Sequence, residues 1–245
     1  MKSPIHAPAR ERFGIRLRRS FQRDPIRALV LNVLSIAFVL FFALPVFYLI
    51  TSAFMTRMEI WSAAVFPSRL RLENIAVAMI EFNMLHYLFN SLFFAVTIVA
   101  SNLFFCSLSG YALAKFTFPG KNLVFALVLA SMMIPPMVLI VPLFIEVRAM
   151  GLLNTPFAMI LPLFTNPFGV FLMRQFLLDL SDDHLDAARI EGASEFRVFW
   201  LIVIPFSTPA MLTLALYRFL FVWNDLLWPM LVVGNERWRT LPVAI

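Results

Sequence analysis

The sequence predicts an all-α fold, a polytopic bundle of membrane-spanning helices, from three observations. The first is composition: 61% of the 245 residues are hydrophobic, 14% are charged and the mean hydropathy is +0.85. A soluble domain carries about 25% charged residues, so the deficit points to lipid as the solvent. The second is patterning. The apolar residues fall in long runs, the first of them (about 28–54) free of charge, and about 20 apolar residues suffice for a helix to cross the hydrocarbon core. The third is residue type: 28 Phe and seven Gly suit helices facing acyl chains better than a barrel with alternating polar positions.

Taken in order, the chain opens on a basic tail, 1–27, holding eight of its twenty Lys and Arg. A basic block before a long apolar run places that end in the cytoplasm. The run is too long for the h-region of a signal peptide. The first span is about 28–54. A mixed segment follows, in which Leu72, Ile75, Ala76 and Met79 recur at the spacing of a short amphipathic helix. The remaining spans are about 88–114, 123–145, 156–173 and 200–222, with a polar loop over about 174–199. Alternation puts Lys115, Lys121 and the 174–199 loop on the cytoplasmic side. Pro45, Pro135, Pro136, Pro142, Pro162, Pro167, Pro205 and Pro209 fall inside predicted spans. Each removes a helical hydrogen bond, giving either static kinks or hinges.

Several chemistries are excluded as expectations. No glycine spacing makes a phosphate-cradling loop, so the chain is expected to bind no ATP and no other cofactor. His6, His86 and His184 are far apart and Cys106 is alone, which leaves no metal site and no catalytic set. The basic charge lies in the tail, not in a nucleic-acid-binding surface. The spans lack Asp, Glu, Lys and Arg until Arg218, against a proton-coupled pump. Asn90, Ser91, Asn102, Thr165 and Asn166 either line a path for an uncharged solute or serve as interhelical glue, the commoner use. Trp223, Asn224 and Asp225 form a turn after the fifth span and are further candidates for a path or gate.

The polar loop carries the most specific pattern. Asp186, Ala187 and Ala188 precede Gly192 and Ala193, and Ile202, Ile204 and Pro205 follow. Read physically, Ser181 or Asp182 caps a helix, Gly192 ends it in a left-handed conformation, and Ser194 caps the next. Leu185, Ala188 and Gly192 share a face that a partner could approach, and Asp186 faces a cationic partner group. The bland alternative is a plain loop with an internal Asp186–Arg189 pair.

This pattern resembles the EAA loop of permease subunits in binding-protein-dependent ABC importers, with Asp186 in place of Glu and Ile204 in place of Leu. Further stretches carry the resemblance over about 28–245: Gly110-Tyr111-Ala112-Leu113-Ala114, Met133-Ile134-Pro135-Pro136, Trp223-Asn224-Asp225 and Thr240-Leu241-Pro242-Val243. It is closest to the maltose-type, MalG-like carbohydrate branch. The resemblance implies a permease domain over 28–245 and a sixth span after Val243, missing here at the C-terminus. It implies a non-enzymatic, multi-pass subunit of the bacterial inner membrane. The partners implied are a second permease, two ATP-binding cassette ATPases that hold the ATP, and a periplasmic or extracellular solute-binding protein. Asp186, Ala187, Ala188, Gly192, Ala193, Ile202 and Pro205 would form the ATPase-coupling loop. The alternatives are a secondary transporter or channel for a small uncharged solute, or the same role with glycerol-3-phosphate.

Overall fold

Every regular element among residues 25–245, which the computed structural model describes, is helical. Residues 1–24, and with them most of the expected basic tail, lie outside the described residues. The chain divides at Glu81–Phe82 into two compact units, a boundary inside the 28–245 stretch that the resemblance treats as one domain.

The first unit holds α1 (Pro25–Ser52), α2 (Arg57–Trp61) and α3 (Glu73–Ile80). Helix α1 is about 42 Å long at 1.5 Å per residue, enough to cross about 30 Å of hydrocarbon with tilt. Pro45 lies inside it without ending it. The segment after it is organised by Glu59, which closes a capping box with Thr56 and accepts the Ser68 amide at 2.9 Å. Asn74 Nδ2 donates to the carbonyls of Ala53 and Met55 at 3.1 and 2.9 Å. The amphipathic spacing at Leu72–Met79 has become α3.

In the second unit, α4 (Met84–Lys115) is the central helix. The expected third span is not one helix. It is α5 (Lys121–Met132) and α6 (Pro136–Ala149), which meet at 103°. Pro135 is extended at ψ 129°, and the residue before a proline is itself driven off the α region, so Ile134-Pro135-Pro136 cannot continue a helix. At about 18 and 21 Å the two pieces are each shorter than the hydrocarbon core. The fourth region is α7 (Pro156–Ile160) with a 3₁₀ turn at Leu161–Leu163, then α8 (Pro167–Leu178), bent by 43°. It runs five residues past the expected end at 173, so the polar loop begins at 179. The fifth begins at Glu195, not 200. It comprises α10 (Glu195–Val198), a π-helical turn at Phe199–Val203, α11 (Ile204–Phe206) and α12 (Thr208–Trp223), bent by 77° at Ser207. Pro205 has no N–H for the carbonyl of Leu201, and the helix widens there: the Ile204 amide donates to the Phe199 carbonyl. The chain continues through α13 (Leu227–Val232) to α14 (Leu241–Ala244).

Two apolar cores hold this unit. One packs Cys106, Tyr111 and Leu113 of α4 against Met173 and Leu177 of α8 and Leu214 of α12. The other packs Phe94, Ala95 and Ile98 of α4 against Met159, Val222 and Trp228. Between membrane helices, such contacts are close van der Waals packing, which small residues permit. At Gly110 a Cβ would lie 2.6 Å from Met173 Cβ and 2.9 Å from the Arg174 amide nitrogen; at Gly169 it would lie 2.7 Å from Cys106 Sγ. Both glycines are required where α4 and α8 cross. A proline-freed carbonyl can be re-bonded from another helix. The Ala158 carbonyl, which loses its donor to Pro162, accepts Trp228 Nε1 at 3.1 Å.

Candidate functional site

The polar stretch after α8 folds as an elbow. Its first arm is α9 (Asp182–Ile190). Ser181 Oγ accepts the Asp183 amide at 3.3 Å, and Asp182 and Asp183 occupy the first turn, where the helix dipole favours negative charge. The arm ends at Gly192, with φ +84°. The Gly192 amide donates to the Arg189 carbonyl and the Ala193 amide to the Ala188 carbonyl, both at 3.0 Å, the two bonds of a Schellman cap. No atom lies within 4 Å of where a Gly192 Cβ would sit. The demand for glycine is therefore conformational, and the turn faces open space. Ser194 caps the second arm, α10, by accepting the Arg197 amide at 3.4 Å.

Charge pairs brace the elbow. Arg189 spans the corner, bonding Asp186 Oδ1 through Nη1 at 2.9 Å and Glu195 Oε1 through Nε at 2.8 Å. Tyr111 Oη on α4 donates to Glu195 Oε2 at 2.9 Å. Glu195, and after it Asp186, hold the guanidinium protonated by raising its pKa. Lys115, in the last turn of α4, bonds the Leu180 carbonyl and pairs with Asp182 at 2.9 Å. The hydrogen bond from Lys115 holds the Asp182 carboxyl below its usual range.

A depressed folded pKa stabilises above the unfolded value, about 3.9 for Asp, and is lost as pH falls through the folded value. Protection of the α9 amides, the exchange rate relative to the intrinsic rate at each pH, is therefore expected to stay flat from pH 8 to 5 and to fall below about pH 4. Asp182→Asn should show that loss of protection already at pH 7.

The structure departs from the sequence reading at three points. Leu185 is fully buried and Ala188 packs behind it, so this face is turned to the chain's own core, because a short polar helix needs an apolar anchor. The exposed face carries Asp183, Asp186, Ala187 and Ile190, the last 86% exposed. Asp186 is not free: its Oδ1 is taken by Arg189. Ile202 and Pro205 stand away from the corner, in the π-helical turn and α11, while Ala193 packs against the core.

The other candidates are dispersed. Asn90 Nδ2 donates to the carbonyls of Arg237 and Arg239, both at 2.9 Å. Asn102 Nδ2 donates to those of Ile98 and Leu163 at 2.8 and 2.7 Å. Asn166 Oδ1 caps α8 at the Gly169 amide. Trp223 stacks on Phe219 with ring centroids 5.4 Å apart, Asn224 Nδ2 donates to the Leu220 carbonyl at 2.7 Å, and Asp225 caps α13 by accepting the Trp228 amide at 3.3 Å. Among the described residues no group of three or more His, Cys, Asp or Glu could hold a metal.

Residues 106–242 match the family described as "Binding-protein-dependent transport system inner membrane component". The chain is 36% identical over 228 residues to the arabinooligosaccharides transport system permease protein AraQ of Halalkalibacterium halodurans, covering 91% of this chain and 81% of that one. This chain belongs to that family of inner membrane components. The permease is also 32% identical to the diacetylchitobiose uptake system permease protein NgcG of Streptomyces coelicolor, over 86% of its own length and 71% of that protein's. To the sn-glycerol-3-phosphate transport system permease protein UgpE of Yersinia enterocolitica it is 36% identical, over 64% and 56%. A solved bacterial ABC transporter involved in the import of the acidic polysaccharide alginate has the same fold, with a TM-score of 0.77 at 23% identity over 98% of this chain and 81% of that one. The permease is thus a transport subunit of an ABC importer and not an enzyme; ATP hydrolysis sits on separate subunits. Such a permease works with a partner permease, an ATPase and a solute-binding protein.

Proposed function

We propose that the permease forms, with a second permease, the path for a carbohydrate, and that the elbow from Asp182 to Pro205 receives the mechanical work of two ATPase copies, which hold the ATP. The N-terminus is cytoplasmic and the elbow lies on that same side, where an ATPase can reach it. A periplasmic or extracellular binding protein delivers the solute.

One observation carries this reading: a doubly capped helix ends in an open glycine corner and leaves one face exposed. The arm is joined directly to α8 on one side and to the α10–α12 region on the other, so its displacement re-tilts both. ATP drives the change only by binding one state more tightly than the other, and the α9 contact transmits that difference. Ile190 adds an apolar contact beside Ala187. The carbohydrate assignment follows the AraQ and NgcG relatives; the UgpE relative favours glycerol-3-phosphate as the second reading.

Placing a cysteine at exposed Ala187 and co-expressing the ATPase tests the contact. Crosslinking to the ATPase is the expected result. No crosslink, or solute movement by the isolated chain, would reject the coupling role.

A further inference from the structure

The two apolar cores are separated by a polar layer. On α4 it falls at Asn102, between Ile98 and Cys106; on α12 at Arg218, between Leu214 and Val222; and between α7 and α8 at the break 163–166. The three meet at one atom. The carbonyl of Leu163 would bond the amide of residue 167 in a continuous helix, but residue 167 is proline and has no N–H. Asn102 Nδ2 donates to that carbonyl at 2.7 Å and Arg218 Nη2 at 3.3 Å.

Both donors are almost wholly enclosed, Asn102 at 0% and Arg218 at 4% exposure. A charge at this depth is costly, and among the described residues no carboxylate pairs with Arg218. Its Nε and Asn102 Oδ1 have no hydrogen-bond partner among the described residues. The contrast is with the Ala158 carbonyl, which Pro162 frees in the same way and one neutral indole satisfies. A half-satisfied buried network is costly, and a group left unpaired in it can act as a reservoir of strain.

The connectivity gives the node its use. One arm of the elbow leads through α8 back to Leu163, and the other leads through α10 and α11 to Arg218 on α12. We propose that Asn102 and Arg218 are positioning residues for transport. By clamping the proline-freed Leu163 carbonyl, they pin the two arms together at one point, so that displacement of the elbow changes the angle between α8 and α12 about that pin. This rests on the elbow being the point where work enters.

The test uses the full transporter in nanodiscs, with spin labels at Leu178→Cys on α8 and Leu216→Cys on α12, both exposed. Cys106 is buried and stays unlabelled. ATP with vanadate should shift the label-to-label distance in the parent. Arg218→Met should remove at least about half of that shift while the ATPase still co-purifies, and Arg218→Lys, which keeps a donor, should retain most of it. Adding Pro167→Ala to Arg218→Met supplies an N–H to the Leu163 carbonyl. Thermal stability should then recover but the shift should not, because the two arms stay untied. A full shift in Arg218→Met, its return in the double variant, or a parent with no shift would each overturn the clamp. Failure of the elbow itself registers separately, as absence of crosslinking at Ala187.

Discussion

Gly192→Asp is expected to abolish co-purification of the ATPase while leaving the permease in the membrane. Gly192 sits at φ +84°, a conformation that costs a residue with a Cβ about 1–2 kcal/mol. The side chain itself meets nothing within 4 Å, so the fold bears only that conformational cost. The consequences at the corner are larger. The Schellman bonds from Gly192 and Ala193 loosen, the α9 arm loses its fixed angle to α10, and a negative charge is placed at the C-terminal end of a helix, where the dipole disfavours it. A partner surface built to meet that corner then finds a bulkier, more acidic and less rigid one. The measurement is a pull-down of the co-expressed ATPase beside a membrane-fractionation control. Gly192→Ala, which adds the strain without charge, should lie between parent and Gly192→Asp. Full ATPase recovery with Gly192→Asp would contradict the assignment of this corner.

Gly110→Val should have the opposite signature, loss of the folded permease itself. A Cβ at this position would sit 2.6 Å from Met173 Cβ, 2.9 Å from the Arg174 amide nitrogen and 3.0 Å from the Met173 carbonyl carbon. Two of those atoms are backbone and the third is fixed to it, so no rotamer change makes room. The only relief is separation of α4 from α8, which opens the core around Cys106, Met173 and Leu177. Overpacking of this kind costs about 3 kcal/mol or more, a large share of the roughly 5–15 kcal/mol that stabilises a domain. In detergent, the monodisperse peak on size exclusion should collapse into aggregate. Met173→Ala should not rescue it, because Ala keeps the Cβ that collides. A well-behaved Gly110→Val protein would mean that the two helices cross elsewhere.

Much of the elbow was legible in the sequence because its determinants are local. Ser181, the acids at 182 and 183, Gly192 and Ser194 act on backbone groups within about a helical turn, so their order along the chain is their geometry. The membrane-spanning character of the apolar runs was legible for a similar reason, since solvation by lipid depends on composition over about 20 residues. The outward face of α9 was not legible. Leu185, Ala188 and Gly192 share a side of the helix, but which side is turned inward depends on Leu177, Leu180 and Val198, residues from both neighbouring arms. The brace was missed as well: Tyr111 and Lys115 reach the elbow from α4, 84 positions from Glu195 in the first case, and no periodicity links them.

What the sequence determined by itself was the solvent, the helical class, the cap-and-corner chemistry of residues 181–194 and, through its ordered motifs, the family. All of these rest on interactions among neighbours in the chain or on averages over it. Only the tertiary structure decided how the prolines act. Pro45 and Pro142 are absorbed inside helices, whereas Pro135, Pro167 and Pro205 lie at or beside breaks or bends. A proline merely frees a carbonyl; at Leu163 and Ala158, where the helix breaks or tightens, that carbonyl is bonded by Asn102 and Arg218 or by Trp228, donors that only the fold brings there.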